Sequence, residues 1–254
     1  MYNDLFNIGP VTIHGYGLMI ALGILCALLV AGKRAKRKNL DVDLVYGLGL
    51  AVLFFGFVGA KLLFCIVELD SIIASPKLIL SGDGFVVYGG IIGGILAAML
   101  YCKRKKVSFL IYFDLLAPSV ALAQGFGRIG CFLAGCCYGR ETSSPIGIIF
   151  HNSLFAPNDV RLLPTQLFSS AGDFLIAAVL MVFASRPRRV GKTGALYLML
   201  YGAGRFIIEF FRDDYRGSVG FLSTSQFISI IILAIGIAIF FMKKFPSFNK
   251  EKAG

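Results

Sequence analysis

Charge is scarce in this chain. Only 15% of its 254 residues are charged and 57% are apolar, whereas a soluble domain carries about a quarter charged residues. His14 and His151 are the only histidines, which leaves few side chains that titrate near neutral pH. A Walker phosphate loop, a metal finger and a sustained heptad pattern are all missing, which removes three familiar soluble classes. No internal repeat stands out, and this argues against an inverted-repeat transporter. The opening "MYNDLFNIGP" lacks a basic n-region and contains Asp4, so a cleavable signal peptide is not expected and the first span is retained.

What is present is a series of long apolar runs. A helix needs about 20 mostly apolar residues to cross the hydrocarbon core. Seven stretches qualify: roughly 11–31, 44–67, 85–102, 108–126, 166–185, 194–211 and 225–242. The second and sixth contain Lys61 and Arg205, which makes their boundaries less sharp. The expected fold is an all-α polytopic membrane protein of about seven transmembrane helices, one integral membrane domain over 1–254. The net charge of +11 is concentrated after the odd-numbered spans, at Lys33–Lys38, Lys103–Lys106, Arg186–Lys192 and Lys243–Lys252. The positive-inside rule then places the N-terminus outside and the C-terminus in the cytoplasm. Charge distributed this way is orientation information, so nucleic acid is excluded as a partner.

Charges at bilayer depth are costly and point to function. Arg128, in "GFGRIGCFLAGCCYGR", is expected just past the outer end of the fourth span, at the head of a long outer segment over 127–165. In "YGAGRFIIEFFR", Tyr201, Arg205, Glu209 and Arg212 recur at helical spacing, which places them on one face with Arg205–Glu209–Arg212 as the simplest pairing. A buried ion network joining helices is the structural alternative. Guanidinium forks suit phosphate oxygens, and in the outer leaflet the abundant phosphate is a phospholipid headgroup. Tyr16 and Tyr88 stand near span starts, where tyrosine is ordinarily an interfacial anchor. His14 is a weaker base candidate, and Asp114 and Asp173 are intramembrane carboxylates without an evident partner in sequence. Gly89, Gly90, Gly93 and Gly94 fit close helix packing. Cys131, Cys136 and Cys137 could form a disulfide or bind a metal. The second ligand pair of a zinc site is absent, small apolar filler or a redox-labile pair fits as well, and no metal or cofactor is expected.

Five stretches in order, "HGYGLMI", "GFVVYGGIIGG", "QGFGRIGCFLAGCCYGR", "LLPTQLF" and "YGAGRFIIEFFRDD", resemble the prolipoprotein diacylglyceryl transferases over nearly the whole chain. The resemblance implies a multi-pass protein of the bacterial cell (inner, plasma) membrane that transfers the diacylglyceryl group of phosphatidylglycerol to a lipobox cysteine. That cysteine ends a prolipoprotein signal peptide, and glycerol phosphate is released. It also implies catalytic roles for Arg128, Arg205, Tyr88 and Tyr16, and substrate contacts for Gly127, Gly130, Cys131, Gly139, Tyr201, Glu209 and Arg212. The sequence departs from the family pattern at identifiable points. Tyr88 stands where a histidine is usual, Cys131 where an asparagine is usual and Cys136 where an acidic residue is common. "PTQLFSS" replaces Pro-x-Gln-Leu-Tyr-Glu. A related transferase with the same lipid donor and another acceptor, or a non-catalytic phospholipid-binding membrane protein or transporter, are the alternatives.

Overall fold

The computed structural model describes residues 4–8, 11–79, 84–214 and 217–242. A hairpin of β1 (Asp4–Ile8) and β2 (Val11–His14) leads into α1 (Gly15–Arg37), α2 (Val42–Val67), the short α3 (Leu69–Ala74) and a 3-10 turn at Pro76–Ile79. Then come α4 (Val87–Arg104), α5 (Phe109–Ala134), the strand pair β3 (Ile148–Ile149) and β4 (Arg161–Leu162), α6 (Thr165–Phe183) and α7 (Lys192–Glu209). A last strand pair, β5 (Ser218–Val219) and β6 (Leu222–Ser223), precedes α8 (Thr224–Phe241). Helices α1, α2, α5, α6 and α8 are long and apolar enough to cross a membrane, as expected of a helical membrane protein. Helices α4 and α7 also run 18 residues. Lys103 and Arg104 in the former, and Lys192, Arg205 and Glu209 in the latter, make them less apolar.

Helices stand at all seven expected stretches, but three boundaries are corrected. Residues 11–14 are a strand and not the start of the first helix. Helix α5 continues to Ala134, so Arg128 lies inside it and the segment that follows begins at Gly135, whose φ of 76° ends the helix. Helix α7 stops at Glu209, so Arg212 lies beyond it, in a bridge to Gly139. The Lys243–Lys252 cluster lies outside the described residues.

By internal packing the chain divides into two units, residues 32–112 and residues 1–31 with 113–254. In the first, α2 and α4 meet backbone to backbone. A β-carbon on Gly89 would come within 2.3 Å of the Gly59 carbonyl oxygen, and one on Gly93 within 2.5 Å of that of Phe55. The small-residue reading of "GGIIGG" thus holds most strictly at Gly89 and Gly93, where a β-carbon would run into the facing backbone. Lys61 does not break α2. Its ammonium donates to the Leu78 carbonyl at 3.2 Å and sits about 5 Å from the rings of Phe64 and Phe85, contacts that offset the cost of an amine on an apolar helix.

In the second unit, Ala117 and Ala121 of α5, Ala177 and Leu180 of α6 and Tyr197 of α7 form a packed core. Helix α7 begins at Gly191, with φ at 87°. The Asp114 carboxylate on α5 accepts the Gly191 and Gly194 amides at 2.6 and 2.7 Å. Those amides belong to the first turn of α7, which has no intrahelical acceptor for them. A buried negative charge there also complements the helix dipole. Asp114 is therefore the cap of another helix. Segment 135–164 has its own small core of Phe150, Ala156 and Leu162, tied by the β3–β4 pair.

Candidate active site

Arg128 is positioned by what its helix touches one turn earlier. Gly125 admits the ring of Phe174, to which a β-carbon would come within 2.5 Å, and its carbonyl accepts the Ser170 hydroxyl at 2.9 Å. These contacts clamp α5 to α6. Tyr197 donates to Gln124 Oε1 at 2.9 Å and stacks on Tyr201 at 5.8 Å, which brings α7 into the same arrangement. The three helices enclose a cavity of about 180 Å³ whose lining includes Arg128, Asp173, Tyr201 and Arg205. Gly172 and Gly204 also line it, and an added β-carbon at either would meet nothing within 4 Å.

Behind the cavity, Arg205 is held through one nitrogen. Nη2 donates to Ser225 Oγ at 2.8 Å and lies 2.8 Å from Glu209 Oε2, a charge contact off the line of a hydrogen bond. Glu209 Oε1 accepts the Ser223 hydroxyl at 2.9 Å. Arg212 reaches Glu209 at 3.8 Å, but its fork is bound in bidentate fashion by Asp214 at 2.8 and 2.6 Å. The expected Arg205–Glu209–Arg212 pairing is present, and Asp214 is an addition to it. Arg205 Nη1 is buried and has no hydrogen-bond partner among the described residues. Such a donor costs about 1–3 kcal/mol unless something accepts from it. Two guanidinium groups on one cavity, one with an unused donor, suit a phosphate.

Comparison with known proteins agrees with this chemistry. A sequence model of the family described as "Prolipoprotein diacylglyceryl transferase" matches residues 3–242. The chain belongs to that family. Among curated members, the phosphatidylglycerol–prolipoprotein diacylglyceryl transferase of Clostridium tetani is 48% identical, over 95% of this chain and 97% of its own. Transferase 2 of Clostridium perfringens is 47% identical over 91% of each chain. The transferase of Staphylococcus carnosus is 32% identical over 98% of this chain and 94% of its own.

The other residues that the family resemblance singles out divide into distinct places. Gly130 is a contact point, since a β-carbon there would come within 3.1 Å of the Tyr16 ring. Tyr16, in the first turn of α1, thus packs on α5 one half-turn beyond Arg128. Gly127 has open space where a side chain would be. Gly139 is a structural glycine. It bridges to Arg212, donates to the Leu163 carbonyl at 3.0 Å, and would place a β-carbon 2.7 Å from that oxygen. Tyr88 lies in the first turn of α4, in the other unit, and is 41% exposed. His14 ends β2. Cys131, Cys136 and Cys137 come together with their sulfur atoms within 4.8 Å of one another. Hydrogen bonding among these thiols, and then burial, push the Cys136 thiol well above its ordinary value. Asp173 was legible only as a carboxylate, whereas Asp214, Ser223 and Ser225 carried no signal in the sequence beyond being polar.

Proposed function

We propose that the chain transfers the diacylglyceryl group of phosphatidylglycerol to the lipobox cysteine thiol of prolipoproteins and releases glycerol phosphate. The observation that carries this reading is the cavity shared by Arg128 and Arg205, with Arg205 Nη1 unpartnered among the described residues. The acceptor thiol gives its proton to water and its sulfur attacks the glyceryl carbon as the carbon–oxygen bond to phosphate breaks, so negative charge grows on the leaving phosphate. Fixed guanidinium donors stabilise that charge. Glu209, Ser225 and Ser223 hold Arg205 so that its free edge need not reorganise. Tyr201 stacks along the cavity wall, and Gly172 and Gly204 leave room for the glycerol.

The same reading takes the chain as one integral membrane domain of the bacterial cell membrane. It has seven spans, with α4 and α7 included, an outer N-terminus and a cytoplasmic C-terminus, an orientation supported by the basic clusters after α1, α4 and α6. The test is mass spectrometry on the purified protein with phosphatidylglycerol and a synthetic lipobox peptide. A diacylglyceryl adduct on the peptide cysteine, with glycerol phosphate released, is the expected result. Lipid binding without turnover would overturn it in favour of a binding protein. Tyr88 standing at the usual place of a histidine favours a second reading, a different acceptor. Replacing Tyr88 with histidine and finding a large gain on the lipobox peptide would support that reading.

A further inference from the structure

We propose that Cys131, Cys136 and Cys137 form a binding site for one thiophilic divalent ion of the zinc class, whose open fourth position takes the acceptor thiol. The metal site stands on the geometry of these three residues, and the role of its open position rests on the transfer reaction proposed above. The three sulfur atoms lie within 4.8 Å of one another. Zinc–sulfur bonds of about 2.3 Å at tetrahedral angles put sulfurs roughly 3.8 Å apart, so the cluster needs to contract by about 1 Å at most. Its frame is fixed on both sides. Cys136 folds back on the end of α5, its amide donating to the Cys131 carbonyl at 3.1 Å and its thiol contacting the same oxygen at 3.7 Å. The Gln166 amide holds the Cys136 carbonyl at 2.8 Å and the Thr165 hydroxyl holds that of Cys137 at 2.9 Å. Cys137 adopts φ of 64°, a conformation rare outside glycine and asparagine. Backbone strain of that kind persists only where surrounding contacts impose it, and here it brings adjacent cysteines to one point.

Three protein ligands and an open position are the arrangement of catalytic zinc sites. Three thiolates and a divalent ion carry one net negative charge. Arg128 stands one turn before Cys131 on the same face of α5, where its positive charge balances that one. A thiol that coordinates such an ion is deprotonated, which supplies the nucleophile without a histidine base. The acceptor thiol gives its proton to water as its sulfur binds the ion. That sulfur then bonds to the glyceryl carbon, the carbon–oxygen bond to phosphate breaks, and glycerol phosphate leaves with the bonding pair. The thioether product is a weak ligand and departs.

The test is titration of the reduced, metal-stripped full chain with Cd²⁺, read by its sulfur-to-metal charge-transfer absorption with no lipid or peptide present. Saturation at one Cd²⁺ per chain is expected, with an unchanged result in Cys65→Ser. Cys131→Ser, Cys136→Ser and Cys137→Ser should each weaken binding by at least the roughly tenfold that loss of an outer-shell partner alone costs. A lipobox peptide should then strengthen the absorption as a fourth thiolate binds. No saturable absorption, or undiminished binding in the serine variants, overturns the site. An absorption indifferent to the peptide overturns the acceptor role. Transfer that proceeds equally in the metal-stripped and Zn²⁺-loaded protein also overturns the acceptor role and leaves the transferase reading intact.

Discussion

Replacing Arg205 with lysine separates the shape of its guanidinium from its charge. Nη2 serves Ser225 and Glu209, both at 2.8 Å, and Nη1 is the donor left for the cavity. A single ammonium that keeps Glu209 cannot also present that second edge. Losing one donor to charge that develops in the transition state lowers kcat by roughly 10²–10³, about 3–4 kcal/mol. Folding should be largely spared, because Glu209 keeps a cation. Arg205→Ala adds a different penalty. Glu209, 8% exposed at its side chain, would retain, among the described residues, Arg212 at 3.8 Å and the Ser223 hydroxyl, and stranding a buried partner costs about 3–5 kcal/mol. The double change Arg205→Ala with Glu209→Gln removes that penalty and not the catalytic one. Transfer to a lipobox peptide, followed by mass spectrometry alongside thermal unfolding in detergent, reads both. Lysine activity within about threefold of wild type, well short of the loss expected for one donor, would refute the reasoning. So would recovery of turnover in the double variant, since Arg205 would then serve only to neutralise Glu209.

Four further outcomes follow from the same geometry. Asp114→Ala should lower stability by about 1–2 kcal/mol, as loss of a helix cap does, measured by chemical unfolding in detergent. Gly204→Leu, which puts a side chain where nothing lies within 4 Å, should raise KM for the lipid without lowering the unfolding midpoint. Gly139→Ala, whose methyl would meet the Leu163 oxygen at 2.7 Å, should destabilise by about 1–3 kcal/mol as overpacking does, read from the same unfolding curves. Asp173→Asn removes the one carboxylate in the cavity lining, so it should tighten phosphatidylglycerol binding and lower the midpoint of the lipid-free protein.

The helices were legible because their cause is local. Apolar runs of span length form helices wherever they lie, and the paired glycines of α4 announced the close approach to α2. The errors have physical causes too. The fourth span expected from sequence ends at 126, just before Arg128, yet Gly125 and Gly130 admit Phe174 and Tyr16, and α5 runs on past both. The stripe that placed Arg212 on α7 ignored the pull of the bridge to Gly139, 73 positions earlier in the chain. Asp114 had no visible partner because its amides are 77 and 80 positions away. The thiol cluster needed the turn after α5, whose left-handed residues at Gly135 and Cys137 leave no periodic pattern.

Burial of charge connects these details. Lys61 is offset by a carbonyl and two rings, Asp114 by two amides, Arg212 by the Asp214 carboxylate and Glu209 by arginines and a hydroxyl. Each of these charges meets a nearby partner, as apolar surroundings demand, although Glu209 Oε2 has charge contacts and no hydrogen bond. Arg205 departs from this pattern at Nη1, and it does so on the wall of the one cavity where Arg128 also stands. That donor faces the cavity, so a group bound there can accept from it. An anion suits that donor better than any neutral group, because it meets two guanidinium groups at once. The pairing strengthens further as the leaving group takes on its charge.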